Sequence, residues 1–326
     1  MKYDVLGLGN PLIDIIIHVD DAFLNKMKLH KGSMNLIDVD LQQQILEESK
    51  RFHHLLSLGG SCANTMVMVA QLGGSGAYCG KLGNDILGND YESKLLEAGV
   101  TSYLKKMKGA TGSTVILVTP DADRTMNTHL GMCQFLDKSD LDLEAIEKSR
   151  YLYIEGYLWD TPSQKETVLA ALKHAKKVGT KIALTLSDSF CVDRHKAEFQ
   201  HLLDEYVDLL FCNDLEAQAI TDEKDLEKQL QILSASVEHI VVTLGKKGAH
   251  IIHKDEHHKV DATLVTAIDT TGAGDSFAAG YLFGISKGYE IEKAGRLAAF
   301  CAGIIVTQDG PRFNGNLQEK VASLIA

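Results

Sequence analysis

Two hydrophobic periods divide this chain. From residue 151 onward, short apolar runs alternate with segments whose apolar residues recur at helical spacing. The runs "YLYIEG", "KIALTLS", "VDLLFCN" and "HIVVTLG" read as strands. The segments 164–178 and 217–233 read as helices, with another helix before "VDLLFCN", and 275–286 and 291–306 close the chain as two long helices. Strands alternating with helices predict a parallel sheet covered on both faces.

The first third is patterned differently. "DIIIHVD" and "SMNLIDVD" are short alternating strands, joined later by "GSTVILVTP" and "DRTMNTHL", with no long helix between the members of either pair. They predict a small antiparallel appendage over 14–40 and 100–130, laid across one end of the main sheet. Helices over 41–56, 61–72 and 87–98 are assigned to the main body. No repeat, low-complexity tract or Pro-rich linker interrupts the 326 residues, so the appendage is expected as an insertion into one domain spanning 1–326.

A formal charge of −11, with scattered basic residues, argues against a nucleic-acid partner and for a small-molecule one. The six cysteines (Cys62, Cys79, Cys133, Cys191, Cys212, Cys301) form no C-x-x-C pair, and several sit in apolar runs, which points to reduced, buried thiols in a cytoplasmic protein. "MKYDVLGLGN" enters a strand directly, so no secretory leader is expected. No apolar run reaches membrane-spanning length, so no membrane partner is expected either.

The chemistry concentrates in "DTTGAGDSF", residues 269–277. A glycine turn opening a helix exposes backbone N–H groups where the helix dipole favours anions. Gly272 and Gly274 permit the turn, and Asp275 stands in its first helical residues. An acid beside a bound phosphate would repel it, so Asp275 makes sense there only in another role. That role is to accept the proton of an alcohol that attacks a phosphoryl group. A helix-capping aspartate gives the same spacing without chemistry.

Other phosphate signatures fail. There is no G-x-x-x-x-G-K-[ST], and "GLGNPL" lacks the third glycine of a dinucleotide fingerprint, which disfavours hydride transfer. "HKDEHHKV", around His257 and His258, reads as a solvated hairpin turn rather than a metal site.

Three further stretches carry candidates. "GGSCAN" (Gly59, Gly60 and Asn64) is a second glycine turn before a helix, where Asn64 could serve vicinal hydroxyls or simply sit in a strand-to-helix turn. "GLGNPLID" places Asn10 and Asp14 beyond the first strand, where ligand crevices of parallel sheets lie; a backbone-capping Asp14 is the competing reading. "NDLE" sets Asn213 and Glu216 at a strand-to-helix junction, fit either for hydrated magnesium or for a capping box.

Taken together, these residues resemble the ribokinase, or PfkB, carbohydrate-kinase family. "GGSCAN" is similar to its N-terminal glycine motif, "DTTGAGDSF" to its D-T-x-G-A-G-D motif, "NDLE" to N-x-x-E, and "VVTLGKKGA" to its T-x-G-x-x-G turn. The resemblance implies a three-layer α/β ribokinase-like fold with a mostly parallel central sheet and a small antiparallel β lid that excludes water. It implies Asp275 as base, Gly272, Ala273 and Gly274 as anion hole, and ATP with Mg2+ held by Asn213 and, through water, Glu216. Thr243, Gly245 and Gly248 would line the nucleotide pocket.

Within the family, "GNPLIDI" and "DRTMNTHL" are most similar to adenosine kinases. That similarity implies Asp14 on ribose hydroxyls beside Asn10, Gly59, Gly60 and Asn64, with Arg124 reaching the phosphates and Tyr157 against a base. Some relatives bind K+ through positions matching Asp269 and Thr271 and a later loop, here 306–312. One departure is "LTLSDSF", where Thr185, Ser187 and Asp188 replace the relatives' asparagine and proline. The expectation is a nucleoside kinase, adenosine first; the alternatives are a kinase of ribose, fructose or a similar sugar, and a non-catalytic sensor. Monomer and homodimer stay open.

Overall fold

The computed structural model describes residues 1–326 except Ala122, Asn314, Asn316 and Ala326; for 322–325 it describes the backbone alone. In chain order the strands are β1 (Tyr3–Leu8), β2 (Leu12–His18), β3 (Met34–Leu36), β4 (His54–Leu58), β5 (Gly76–Gly83), β6 (Thr101–Met107) and β7 (Gly112–Val118). They continue with β8 (Arg124–His129), β9 (Ser149–Glu155), β10 (Lys181–Thr185), β11 (Leu209–Asn213), β12 (His239–Thr243), β13 (Ala249–His253) and β14 (Glu256–Val260).

Nine strands form one sheet, ordered β14-β13-β12-β11-β10-β9-β1-β5-β6. Every pairing from β12 to β6 is parallel, and only the β12–β13–β14 edge is antiparallel. All residues of β1 and β5 are buried, as strands covered on both faces require. One face carries helices Ser61–Gln71, Ala273–Ser286 and Ile291–Ile305; the other carries Pro162–Val178 and Ser189–Glu205. The result is the three-layer architecture the pattern predicts.

The smaller sheet, β3-β8-β7-β2-β4, has a core of its own built on Ile17, Phe23, Ile45, Val115 and Leu117. It is mixed rather than purely antiparallel: β2–β4 and β7–β8 are antiparallel, whereas β2–β7 and β3–β8 are parallel.

Several segments depart from the sequence reading. Thr101–Met107 pairs with β5 at the edge of the large sheet, because helix Ile86–Glu97 provides the crossover that a parallel neighbour needs. Residues 41–56 are not one helix: Val39–Glu48 ends the helix, and His54–Leu58 becomes an edge strand of the smaller sheet. Leu55 and Leu56 are exposed there and mimic a helical apolar stripe. The helix expected over 217–233 is two, Asp214–Thr221 and Leu226–Ser234, parted at Asp222 in the left-handed conformation (φ 60°), with Asp225 capping the second.

Candidate active site

The strands of the parallel sheet end at one crevice, the place where open α/β sheets bind ligands. Asn10 follows β1, Glu155 ends β9, Thr185 ends β10, Asn213 ends β11 and Thr243 ends β12; all five line a cavity of about 330 Å³. The smaller sheet covers the opposite side with Met34, Leu36, Ile116 and Met126.

Helix Ala273–Ser286 starts at this cavity. Gly272 is its N-cap at φ 75°, and a Cβ there would lie 2.8 Å from Pro311, so only glycine suits the turn. The Ser276 N–H closes the first helical bond on the Gly272 carbonyl (2.8 Å), leaving the N–H groups of Gly274 and Asp275 with no carbonyl of their own helix to bond. Gly272, Ala273, Gly274 and Asp275 all line the cavity.

Asp275 is therefore not the cap. It stands within the first turn, where Ser61 Oγ donates to Oδ1 (2.7 Å) and Asn64 Nδ2 to Oδ2 (3.1 Å). Burial raises its carboxyl above the ordinary range, and these two donors oppose that rise.

The "GGSCAN" turn serves Asp275 from across the chain. Asn64, expected to meet ligand hydroxyls, spends its amide on Asp275 and accepts from Arg312 Nε (3.3 Å), although it borders the cavity. Gly60 caps its helix at φ 88°, and a Cβ would sit 2.4 Å from the Asn10 carbonyl oxygen. Gly59 does not line the cavity; its bare Cα admits the Asp14 carboxylate, which a Cβ would meet at 2.2 Å. Burial, reinforced by the Asp275 and Asp269 charges and opposed by Arg312, pushes Asp14 to about 7.

Asn10 is 1% exposed and held on two sides. Its N–H donates to Glu155 Oε1 (2.7 Å), and its Oδ1 accepts from Gln164 Nε2 (2.6 Å). Gln164 gives its second N–H to the Cys133 carbonyl (2.8 Å) and accepts from Thr161 Oγ1 (2.9 Å), which fixes the orientation of the Asn10 amide. The buried Nδ2 of Asn10 has no protein partner among the described residues.

Asn213 and Glu216 form the capping box that competed with the magnesium reading. Asn213 Oδ1 accepts the Glu216 N–H (2.8 Å), while Glu216 accepts from the Asn213 N–H (3.1 Å) and Nδ2 (2.7 Å). Both still line the cavity. Burial, with Asp188, Asp214 and Asp275 nearby, pushes Glu216 to about 8.

Thr243 lines the cavity, but Gly245 and Gly248 stand in the turn beyond it. Tyr157 lines it too, its hydroxyl donating to the Ser187 carbonyl (3.3 Å). Asp188, the unexpected acid of "LTLSDSF", caps helix Ser189–Glu205 by accepting the Cys191 N–H (2.9 Å).

Asp269 and Thr271 are engaged with each other rather than open to a cation. The Thr271 N–H (2.9 Å) and Oγ1 (2.7 Å) donate to Asp269 Oδ1, the Gly310 N–H donates to Oδ2 (2.9 Å), and the Arg124 guanidinium pairs with the same carboxylate. Burial pushes this carboxyl up, yet these donors hold it below its usual range. In this arrangement the positive charge beside Asp269 comes from Arg124, so the geometry gives no support for potassium there. Arg124 also donates to Thr270 Oγ1 (3.1 Å) and so sits on the rim of the glycine turn.

The sequence reading missed Glu155, Ser61, Gln164 and Arg312. Glu155 is 1% exposed, pushed to about 7 mainly by burial, and accepts the N–H groups of Asn10 and Cys62. An acid ending the apolar run "YLYIEG" was the signal available for it.

Comparison with known proteins agrees with this geometry. The pfkB family carbohydrate kinase model matches residues 31–318. An adenosine kinase structure from Sinorhizobium meliloti aligns with a TM-score of 0.94 at 38% identity, covering 99% of both chains. A probable sugar kinase protein from Rhizobium etli CFN 42 gives the same four values. The adenosine kinase of Saccharomyces cerevisiae is 27% identical, over 96% of this chain and 97% of its own. The chain thus belongs to the pfkB family of carbohydrate kinases, and it is a phosphotransferase of the nucleoside and sugar kinase group with an alcohol as acceptor.

Proposed function

We propose that the chain transfers the terminal phosphoryl group of ATP to the primary 5′-hydroxyl of a nucleoside, adenosine first, giving AMP and ADP. The observation that carries the nucleoside reading is the apolar side of the cavity: Leu12, Leu36, Ile116, Met126 and Leu130 line it together with Asp14. A free sugar presents hydroxyls on every edge and would leave such a wall unused, whereas a nucleoside presents a flat apolar base beside a polar ribose.

In this reading Asp275 takes the 5′-hydroxyl proton as that oxygen bonds to the terminal phosphorus and the bond to the ADP oxygen breaks. Ser61 and Asn64 aim its carboxylate, and the N–H groups of Gly274 and Asp275 face the charge developing on the phosphoryl oxygens. Asp14 accepts from ribose hydroxyls, and the unpartnered Nδ2 of Asn10 donates to a ligand acceptor. Thr243 and the turn bearing Gly245 and Gly248 flank the nucleotide, and Arg124 meets the phosphates when it leaves Asp269. Tyr157, which lines the cavity with its hydroxyl held by the Ser187 carbonyl, meets the base in this reading.

Kinases of this family use ATP, usually with Mg2+, and the residues here fit the ion. Glu216 and Asp275 both line the cavity, and burial first, then the charges of Asp188, Asp214 and Asp275, raises the proton affinity of Glu216, a deficit of positive charge that hydrated magnesium would fill. Held by Asn213 and, through water, by Glu216, Mg2+ would neutralise charge on the phosphates. The six cysteines are free and buried, which supports work in a reducing compartment such as the cytoplasm. Among the described residues no helix is long and apolar enough to cross a membrane.

The test is magnesium-dependent ADP release from ATP with adenosine, guanosine, inosine, cytidine, ribose and fructose as acceptors, with Asp275→Asn in parallel. Adenosine should give the highest kcat/KM, and the variant should lose roughly two to four orders of magnitude in kcat. A signal from ribose or fructose alone would make this a sugar kinase, the reading the Rhizobium relative favours. Full turnover in Asp275→Asn would remove the base assignment.

A further inference from the structure

The edge of the large sheet carries a cluster unrelated to the cavity. In the β13–β14 hairpin, His250 pairs with Lys259 and Ile252 with His257, so the two imidazoles are diagonal neighbours on one face. His257 Nε2 lies 3.0 Å from His250 Nδ1. Glu227, in the first turn of helix Leu226–Ser234, completes a set whose three ligand atoms all lie within 4.8 Å of one another. None of the three lines the cavity.

We propose that Glu227, His250 and His257 bind a late first-row divalent cation, zinc in first place, which braces helix Leu226–Ser234 to the hairpin.

Two features carry the assignment. Tetrahedral zinc with ligand bonds of about 2.0–2.2 Å needs its donors roughly 3.3–3.6 Å apart, and the three donors already lie within 4.8 Å of one another. Two imidazole nitrogens and one carboxylate select zinc, copper or nickel over magnesium and calcium, which prefer oxygen.

Of the neighbouring charges, Lys259 stands opposite His250 in the hairpin register. His258 turns to Glu256 (3.0 Å), and Lys228 lies 3.8 Å from Glu223. The six cysteines are buried in the folded chain and do not compete. β13 begins directly after Gly248, so the ion would sit behind the turn proposed to flank the nucleotide without entering it.

The experiment is a calorimetric titration of Zn2+ into the untagged, chelator-treated full chain without nucleotide, beside His250→Ala, His257→Ala and, as control, His258→Ala. One stoichiometric site should appear in the wild type and in the control, with affinity at least tenfold weaker in each of the other two. Zinc should also raise Tm in the wild type and not in those two. Zinc-free kinase activity should be equal in all four, because none of these residues touches the cavity; that equality shows the variants are folded. Binding no stronger in the wild type than in His257→Ala, or no stoichiometric site at all, would overturn the assignment and leave the pair as a plain imidazole–imidazole hydrogen bond.

Discussion

The two glycine turns of this chain look alike locally and behave oppositely. Each ends in a glycine N-cap at positive φ, Gly60 at 88° and Gly272 at 75°, and each opens a helix at the same crevice. In the first, the cradle is filled from within: Glu155 Oε2 accepts the first-turn N–H of Cys62 (2.9 Å), and the Asn10 carbonyl crowds Gly60. In the second, no carboxylate among the described residues accepts from the first turn, and nothing lies within 4 Å of a Cβ placed on Gly274. A glycine turn at a helix N-terminus is an anion site only when the rest of the fold leaves it empty. The filled turn then works for the empty one, through Ser61 and Asn64 on Asp275.

The strongest way to break the comparison is to put a methyl group on each turn. Gly60→Ala should cost roughly 3 kcal/mol or more of stability, from its backbone conformation and the contact with Asn10. Gly274→Ala should leave stability within about 1 kcal/mol of the wild type, since its space is open and alanine suits a helix. Its turnover should nonetheless fall roughly 100-fold as the methyl group displaces the reacting atoms. Denaturant melts and steady-state kinetics separate the two, and a Gly274→Ala protein of full activity would remove that turn from the chemistry.

Glu155→Gln probes the filled cradle. The folded Glu155 carboxyl sits near 7 against an ordinary 4.5, so between those values the native state keeps a proton that the unfolded chain has released. Its contribution is therefore largest below about 4.5 and declines as pH rises toward about 7. The amide variant should be less stable by roughly 1–3 kcal/mol at pH 5, because one backbone N–H then faces an NH2 group. It should also lose this part of the pH dependence. Unfolding at pH 5 and pH 8 checks both, and an unchanged slope would show that Glu155 is ionised throughout.

The smallest effect belongs to the link between the turns. Ser61→Ala removes a donor that favours the Asp275 carboxylate, so the acid limb of the kcat/KM profile should move up by about one pH unit. An unmoved limb would mean that the titrating group is another one.

Much of this was legible in the sequence because it is periodic or local. The strands at 149–155, 181–185, 209–213 and 239–243 follow from apolar runs, and the helices at 273–286 and 291–305 from helical spacing. Residues 54–58 were not legible, since Leu55 and Leu56 are apolar yet exposed on an edge strand. Within the site, the cavity gathers Asn10, Asp14, Asn64, Glu216 and Asp275 as the motifs suggested. The partners of Asn64 and Asp188 were not legible: Asn64 donates to Asp275 from a distant segment, and Asp188 caps the helix that follows it.

The sequence by itself determined the elements, the family motifs and the acid at the mouth of a glycine turn, since each depends on residues a few positions apart. Only the tertiary structure decided which turn is filled, which donors aim the acid and which carboxylates are driven upward. Ser61 meets Asp275 across 214 positions and Cys62 meets Glu155 across 93. Hydrogen bonds and desolvation depend on distance in space, and over such separations the packing of the whole sheet sets that distance.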